Sequence, residues 1–322
     1  MMDRRDIEIL MELQYRFPPS ETPYLEISER LGIPFEEFRR RVEALRSRFV
    51  IKRLGFNINY KASGKVAALV AMRAVDLDAK EKIRRILLRD PDVTHNYVRN
   101  HEWFNIWFVI KRRTPEDIMR SVEEIARLSG SRDYLILLGK RTYKLSVKFD
   151  LLRGVSWSEP DVLPENVPTF EELGIPREPF SQLSRWIPVA ERPYRDIASR
   201  YGYSEGELVG LIRELYSKRV LRNLGATLEG RRAGIMWDGM VVIRGSEDDC
   251  LRIALEVPEA THVVYRVPLN GVWDYRAYFM VHADSRDKIE GIALRVSEML
   301  GGKDYRVLYS VENLKPGIHS NE

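Results

Sequence analysis

The sequence predicts an α+β protein made by tandem duplication, in which two similar halves fold together as an internal pseudo-dimer. First, FPPSETPYLEISERLGI at 17–33 aligns with IPVAERPYRDIASRYGY at 187–203 at an offset of 170, which holds as far as Gly64 and Gly234, and Thr94-His95 later meets Thr261-His262. Second, both halves contain the same order of helical and extended hydrophobic patterns. A repeat of this length indicates two copies of a domain-sized unit rather than a solenoid.

Each half begins with the order of elements expected for a winged helix-turn-helix domain. In the first half, DIEILMELQ, LEISERLG and PFEEFRRRVEALRSR have apolar residues at helical spacing, and the extended VIKRLGFNIN follows. Gly32 marks the end of the second helix, and Pro34 stands where the third begins. The predicted winged helix-turn-helix domains are residues 1–60 and 173–230.

A ferredoxin-like domain with the order βαββαβ follows in each half. In the first half the predicted elements are strand 66–75, helix 78–89, strands 93–100 and 105–112, helix 115–129 and strand 133–147. In the second half they are strand 236–244, helix 248–256, strands 260–267 and 274–283, helix 286–300 and strand 304–311. These domains cover 61–150 and 231–322, and the segment 151–172, rich in Pro, Ser and acids, is the predicted linker.

Composition excludes several classes of protein. With Cys250 as its one cysteine, the chain of 322 residues forms no internal disulfide and no thiolate metal cluster, which favours a cytoplasmic location. Apolar runs such as VAALVAM at 66–72 are too short to span a bilayer, and MMDRRDIEIL lacks the apolar region of a signal peptide. The net charge of +4 is compatible with an anionic ligand but does not decide its class.

DNA binding is disfavoured by the helices that would read bases. The first candidate recognition helix opens with PFEEF at 34–38 and the second with SEGELVGL at 204–211, so acidic and apolar residues replace the usual donors. The run Arg39–Arg41 could contact phosphates, but such a run is more often a solvated helix face. We expect these helices to serve as scaffold and pairing elements, and a DNA-binding regulator stays open as an alternative.

Residues capable of chemistry are concentrated in two matching hairpins. In THNYVRNH at 94–101, strand alternation would place His95, Tyr97, Arg99 and His101 on one face. The corresponding hairpin is ATHVVYRVPLNGVWDYRAYFMVHA at 260–283. The two hairpins hold four of the five histidines, and His319 lies in the C-terminal tail. The ordinary alternative is a polar strand face in solvent, with the aromatic residues in the core.

The stretch VTHNYVRNHEWFNIWF resembles a motif of the siroheme decarboxylases, whose subunits are Lrp/AsnC-like proteins that have become enzymes. VWDYRAYFMVHA in the second half resembles the hairpin of the partner subunit, so nearly the whole chain looks like a single-chain fusion of the two usual subunits. The resemblance implies a carboxy-lyase that removes two acetate carboxyl groups from siroheme. The product would be 12,18-didecarboxysiroheme, an intermediate of alternative heme or heme d1 biosynthesis.

The resemblance also implies roles for individual residues. Arg99 is the leading carboxylate clamp, and His95 or His101 donates the proton with assistance from Tyr97. Either histidine could instead bind the siroheme iron. The other substrate-binding candidates are Trp103, Asn105, Trp107, His262, Arg266, Arg276, Tyr278 and His282. We expect no dedicated metal site and no cofactor beyond the iron-containing tetrapyrrole substrate, because its conjugated ring can accept the electron pair.

The second hairpin departs from the first at two positions. Val264 stands where the first hairpin has Tyr97, and Arg276 stands where it has Asn105. We therefore expect the two hairpins to do different jobs, with the first performing catalysis. A heme or tetrapyrrole sensor without catalysis is the third class of function that these residues allow. Further homo-oligomerisation of the pseudo-dimer is also left open.

Overall fold

The computed structural model describes residues 2–315, so the prediction for His319 lies outside the described residues. The first half contains α1 (Arg4–Tyr15), α2 (Pro23–Leu31), α3 (Phe35–Ser47), β1 (Ile51–Ile58), β2 (Val66–Met72), α4 (Leu77–Leu88), β3 (Val93–Arg99), β4 (Ile106–Arg112), α5 (Pro115–Ser129) and β5 (Tyr134–Leu145). Two short strands follow, β6 (Phe149–Asp150) and β7 (Val155–Ser156).

The second half repeats the order of the first. It contains α6 (Glu178–Arg185), α7 (Arg195–Arg200), α8 (Glu205–Ser217), β8 (Leu221–Leu228), β9 (Trp237–Ile243), α9 (Glu247–Glu256), β10 (His262–Pro268), β11 (Ala277–Ala283), α10 (Arg286–Met299) and β12 (Tyr305–Asn313). The predicted duplicated α+β fold is confirmed. Within the described residues, no helix is long and apolar enough to cross a membrane.

The two helix-turn-helix units share one hydrophobic core. Leu10 of α1 and Phe38 of α3 belong to the same buried cluster as Leu208 and Ile212 of α8. Strand β1 pairs antiparallel with β8 of the other half. The strand predicted after the third helix is present in both units, but an extended pattern does not reveal which strand will be its partner.

Two glycines mark the pseudo-twofold axis between these units. Gly55 of β1 pairs directly with Gly225 of β8, and these residues are equivalent in the repeat. A β-carbon on Gly55 would overlap the carbonyl oxygen of Leu183, and one on Gly225 would overlap that of Leu13. Leu13 and Leu183 are themselves equivalent, so each strand crosses a helix of the opposite half at the same point.

The ferredoxin-like domains together form a closed barrel. The sheet order is β10-β5-β2-β4-β3-β12-β9-β11-β7-β6, and an additional β10–β11 pairing closes the first eight strands into a ring. Two of its pairings, β5–β10 and β3–β12, join the two halves. The barrel interior contains Leu69, Trp107, Leu137, Met240, Val242, Tyr278 and Leu308. Helices α4, α5, α9 and α10 cover separate cores on the outside.

The segment predicted to be a linker is packed against the protein. Leu163, Val167 and Phe170 are buried within it. Its backbone is also tied down, because the Leu163 amide donates to the Tyr143 carbonyl at 2.7 Å. The segment therefore connects the halves as an ordered strap along the barrel and the helical core.

Candidate active site

A β-bulge in β3 rearranges the residues that were predicted to share one face. The pairing of β3 with β4 shifts register between Thr94 and Tyr97, and His95 has a φ of 51°. The strand then ends at Arg99, so His101 lies in the following turn. The prediction of four side chains in one row was wrong, because simple alternation does not survive a bulge or the end of a strand.

The bulge directs His95 toward the second half of the barrel. Its ring meets the ring of His262 edge-on, with 6.0 Å between the centroids. These histidines are equivalent in the repeat, so they meet close to the pseudo-twofold axis. His95 is exposed and His262 is half-buried, with Nδ1 of His262 lying 3.0 Å from the Thr261 hydroxyl. The barrel therefore has two imidazoles at one position that water can reach.

His101 has a different environment. Its Nδ1 accepts hydrogen bonds from the backbone amides of Trp103 and Phe104, at 3.1 and 3.0 Å. The neutral ring must therefore carry its proton on Nε2, which faces the Arg306 guanidinium at 3.3 Å as donor to donor. Burial and Arg306 lower the pKa of His101, against the opposing effect of Glu102. His101 is thus a neutral side chain that organises the β3–β4 turn.

Aromatic residues from both hairpins pack around that turn. The Trp273 ring centroid lies 5.8 Å from that of His101 and 6.0 Å from that of Trp107. Trp107 is fully buried, while Trp103 is nearly half exposed beneath the Arg73 guanidinium. Trp273 Nε1 donates to the Tyr278 hydroxyl at 2.6 Å. Trp273 was not among the predicted site residues, although tryptophan in a polar hairpin loop is a usable signal for a site.

Of the predicted substrate-binding residues, Asn105 is held by the protein itself and Arg276 lies near Tyr278. The Asn105 side chain accepts a hydrogen bond from the Ala74 amide at 2.8 Å and donates to the Ala74 carbonyl at 2.9 Å. Arg276 precedes β11, where its charge and that of Arg266 oppose the rise that burial causes in the pKa of Tyr278. Asn105 therefore fixes the end of β4, and Arg276 contributes positive potential near the barrel.

Arg99 is buried in a cluster contributed by both halves. Its Nη1 donates to the Leu308 carbonyl at 2.8 Å and lies 3.8 Å from a carboxylate oxygen of Asp238. Burial disfavours the charged form of Asp238, but the charges of Arg99 and His282, together with the nearby Ser310, lower its pKa overall. Burial lowers the pKa of His282, and its Nε2 has no hydrogen-bond partner among the described residues.

Asp238 and Ser310 were missed by the sequence analysis. The sequence feature that could have indicated Asp238 is the acid in MWDGMVVI, at the beginning of an otherwise apolar strand. The first half has Ala67 at the equivalent position of its own strand, so the repeat alone conceals the role of Asp238. The structure recovers it because Asp238 reaches Arg99 across the boundary between the halves.

Arg266 is the equivalent of Arg99 and has different neighbours. Its Nη1 is 3.3 Å from the Leu137 carbonyl, and its guanidinium lies 5.3 Å from the centre of the Tyr278 ring. Its Nε is buried without a hydrogen-bond partner among residues 2–315. Burial lowers the pKa of Arg266, and the groups opposing that effect are Tyr278, Tyr60 and Cys250 rather than a carboxylate.

The arrangement brings together groups that can bind anions and exchange protons. Two buried guanidinium groups and two accessible imidazoles lie on the strands of a barrel whose interior contains Trp107 and Tyr278. In the part of the chain that the structure describes, no group of three or more His, Cys, Asp or Glu side chains could hold a metal ion.

The fold and this site define a duplicated ligand-binding protein of the AsnC-like class. The family model for the AsnC-like ligand binding domain matches residues 62–144 and 232–315. The model for the siroheme decarboxylase NirDL-like HTH domain matches residues 6–51 and 180–222. Both models match twice, in agreement with the duplication. The chain belongs to the siroheme decarboxylase family.

Curated relatives include both single-chain and two-subunit proteins. A siroheme decarboxylase of Hydrogenobacter thermophilus is 26% identical, over 96% of this chain and 92% of its own length. The siroheme decarboxylase alpha subunit of Desulfovibrio desulfuricans is 34% identical over 46% of this chain and 84% of its own length. A beta subunit from Methanosarcina barkeri is 31% identical, with coverages of 40% and 86%. These lengths indicate a fusion of two subunits.

Solved structures confirm the architecture over the whole chain. The crystal structure of the siroheme decarboxylase NirDL aligns with a TM-score of 0.66 at 22% identity, covering 97% of this chain and 92% of that one. The same protein in complex with an iron-uroporphyrin III analogue aligns with a TM-score of 0.64 at the same identity and coverage. At this identity the similarity establishes the common fold.

Proposed function

We propose that this protein is a carboxy-lyase that removes two acetate carboxyl groups from siroheme to give 12,18-didecarboxysiroheme, in alternative heme or heme d1 biosynthesis. The observation that carries the proposal is the accessible His95–His262 pair on a barrel with two buried arginines, in a chain related over 96% of its length to a siroheme decarboxylase. The site supplies what a polycarboxylate needs, namely fixed cations and a proton donor.

The chemical step is a proton-for-carboxylate exchange on a methylene carbon. The bond between the acetate methylene and its carboxylate breaks, CO₂ leaves, and the electron pair passes into the conjugated ring of the substrate. A proton then forms a new C–H bond and completes a methyl group. Because the ring accepts the electron pair, we propose that no cofactor is required beyond the iron-containing substrate itself.

We assign delivery of the proton to His95, with His262 as its partner. The ring centroids are 6.0 Å apart and His95 is exposed, so solvent can reprotonate the pair after each turnover. His101 is a weaker candidate because its Nδ1 already accepts two backbone hydrogen bonds. Its role is to hold the turn, and with it Trp103 and Phe104, in position beside the barrel.

We also propose a cytoplasmic enzyme without a DNA partner. Two of the three arginines in the Arg39–Arg41 run of α3 are engaged in ion pairs: Arg39 with Glu36 at 2.6 Å, and Arg41 with Asp3 and Asp6, each at 2.9 Å. These pairs neutralise much of the surface that a regulator would use. Siroheme is the proposed partner of the barrel, and the two halves supply the dimer that separate subunits would form.

The first prediction concerns the activity itself. Purified protein incubated with siroheme under anaerobic conditions should yield a product lacking two carboxyl groups, as measured by mass spectrometry. His95→Ala should reduce the rate roughly 100-fold or more, the scale of general acid catalysis, while the protein stays folded. His101→Ala should also lose activity, through disorder of the turn, whereas His101→Asn should recover it because its Oδ1 can replace Nδ1 as acceptor.

The matched control is Arg120→Ala, an exposed residue of α5 remote from the barrel, which should leave the rate unchanged. Full activity in both His95→Ala and His101→Ala would contradict the assignment. Binding of siroheme without loss of mass would favour a tetrapyrrole sensor. Absence of binding, together with a salt-sensitive shift of promoter DNA, would favour a regulator.

A further inference from the structure

His95 has a backbone conformation that its equivalent in the second half does not share. Its φ of 51° lies in the left-handed region, which residues other than glycine seldom adopt. Among the described residues, His262 is not one of the non-glycine residues with a positive φ. The conformation belongs to the bulge, where Thr94 pairs with Val109 but the next paired residue is Tyr97. Contacts around the bulge must therefore hold His95 in this strained form.

The end of β12, which belongs to the second half, makes contacts on both sides of His95. The Leu314 amide donates a hydrogen bond at 2.9 Å to the carbonyl of Asn96, the residue after the histidine. Lys315 Nζ donates at 2.7 Å to the carbonyl of Val93, two residues before the histidine. These two bonds bracket the bulge, so a strand from the other half fixes its backbone.

The position of Lys315 is itself well defined by its surroundings. The residue is buried, and its Nζ also donates to the Asp90 carbonyl at 3.2 Å. Its backbone amide donates to the Asn313 side chain at 2.9 Å, and the preceding Leu314 is fully buried in the core beneath α4 and α5. One ammonium group therefore joins the end of α4 to Val93 at the beginning of β3, through charge-assisted hydrogen bonds.

The equivalent lysine of the first half contacts a different part of the protein. DYLILLGKRTYK at 133–144 aligns with DYRVLYSVENLK at 304–315, so Lys144 corresponds to Lys315 in the repeat. Lys144 is also fully buried, but its Nζ donates at 3.3 Å to the carbonyl of Ser158, which belongs to the strap. Lys144 therefore fastens the strap, whereas Lys315 holds the beginning of β3 itself.

We propose that Lys315 is a positioning residue for the reaction, which holds the bulge of β3 so that the His95 ring stays beside that of His262. This inference rests on the proposed function, because that function assigns delivery of the proton to His95. The two rings meet edge-on with 6.0 Å between their centroids, and this contact depends on the left-handed conformation of His95. Lys315 acts through the backbone of β3 rather than on the reacting atoms.

The proposal gives the second half control over the proton donor of the first. His95 lies on β3, whereas Leu314 and Lys315 follow the part of β12 that pairs with β3 across the boundary between the halves. A first half on its own would contain the histidine but would lack both contacts from β12. The histidine pair is therefore assembled only when β3 and β12 have paired.

Nuclear magnetic resonance of the histidine rings tests the positioning in the absence of siroheme. In the wild-type protein, His95→Gln should shift the Hε1 resonance of His262, because it removes a ring whose centroid is 6.0 Å away. Lys315→Met removes the ammonium but keeps an unbranched side chain, and should shift the His262 resonance in the same direction. In the Lys315→Met background, His95→Gln should then have little further effect. A His262 resonance that responds to His95→Gln but not to Lys315→Met would overturn the proposal.

Single-turnover decarboxylation at saturating siroheme measures the consequence for catalysis. Lys315→Met should lower the rate roughly 10- to 100-fold, the scale for misplacing a catalytic group by about 1 Å, while the Kd of siroheme stays unchanged. Lys315→Arg retains a cation with several donors and should recover most of the rate. Lys315→Gln retains a donor without the charge, should give an intermediate rate, and replaces the Met variant if that protein does not fold. Lys144→Met removes the equivalent buried ammonium and is the matched control; it should lower stability but change neither the rate nor the His262 resonance.

The two measurements separate the two levels of inference. If the His262 resonance shifts as expected in Lys315→Met but the wild-type protein returns siroheme unchanged in mass, the positioning stands and the decarboxylase activity is wrong. If the wild-type protein removes carboxyl groups and Lys315→Met keeps the full rate, or loses it no more than Lys144→Met does, the positioning is wrong and the activity stands.

Discussion

The residues of this site differ in chemistry according to their neighbours rather than their type. Arg99 and Arg266 are equivalent in the repeat, yet Arg99 has a carboxylate oxygen at 3.8 Å, whereas Arg266 lies against the Leu137 carbonyl and the Tyr278 ring. Likewise His95 is exposed, whereas His282 is buried beside the Arg99 cluster. Identical letters in a repeated motif therefore specify different electrostatic roles.

Two buried histidines predict how stability depends on pH. Burial lowers the pKa of both His101 and His282, so the folded protein favours their neutral forms and the unfolded chain binds protons more readily. The stability that these neutral histidines contribute is therefore fully present above about pH 6.5, the ordinary pKa of histidine in the unfolded chain. It is lost as the pH falls below that value. Each histidine can contribute at most about 1.4 kcal/mol of lost free energy per pH unit.

Urea unfolding at pH 7.5 and pH 5.5 would measure this effect. His101→Asn preserves an acceptor for the Trp103 and Phe104 amides but does not titrate, so its stability should fall less between the two pH values than that of the wild-type protein. An equally large fall in His101→Asn and the wild-type protein would show that other groups account for the acid sensitivity.

At the scale of elements, sequence patterns located nearly every helix and strand of the two ferredoxin-like domains. The helix predicted at 115–129 is found as Pro115–Ser129, and strand 105–112 as Ile106–Arg112. Their boundaries follow from local signals such as Thr114, whose side chain caps α5. The bulge in β3 and the pairing of β1 with β8 were not predictable in this way, because each depends on a partner strand distant in sequence.

The close contact between β1 and α6, where Gly55 meets Leu183, predicts how substitutions at this crossing change stability. Gly55→Ala should lower the free energy of unfolding by about 3 kcal/mol or more, since its β-carbon would overlap the backbone of α6 at Leu183. Gly210→Ala is the matched control, because a β-carbon there meets nothing within 4 Å and the residue lies inside α8. It should raise stability by about 0.5–1 kcal/mol.

Chemical denaturation of both variants would test this crossing. A Gly55→Ala protein as stable as the wild type would mean that β1 and α6 do not approach as closely as described. Gly225→Ala should resemble Gly55→Ala, since it meets Leu13 of α1 in the equivalent contact and also has a φ of 128°.

At the scale of the whole molecule, the two halves are interdependent. They share the helical core, and the pairings β5–β10 and β3–β12 complete one barrel from both halves. His95 and His262 come from different halves, as do Arg99 and Asp238. A single half therefore lacks both a closed barrel and a complete site.

Expressing the two halves as separate chains would test this interdependence. Pro176 and Arg177 are exposed between the packed strap and α6, so residues 1–176 and 177–322 can be expressed as two chains. Co-expressed, they should copurify in equal amounts and bind siroheme, as separate alpha and beta subunits of relatives would suggest. Expressed alone, either fragment should be insoluble or lack cooperative unfolding; a stable, cooperatively folded fragment would contradict the shared core.

The sequence by itself determined the duplication, the order of elements in each half, the two hairpins that hold the histidines, and the family. These properties are encoded by local periodicity and by motifs that survive in the linear chain. Tertiary structure decided that β1 pairs with β8, that His95 meets His262, and that Arg99 lies beside Asp238 while Arg266 lies beside the Leu137 carbonyl and Tyr278. The physical reason is that pairing, burial and charge balance depend on which residues the closed barrel brings together, and those residues are distant in sequence.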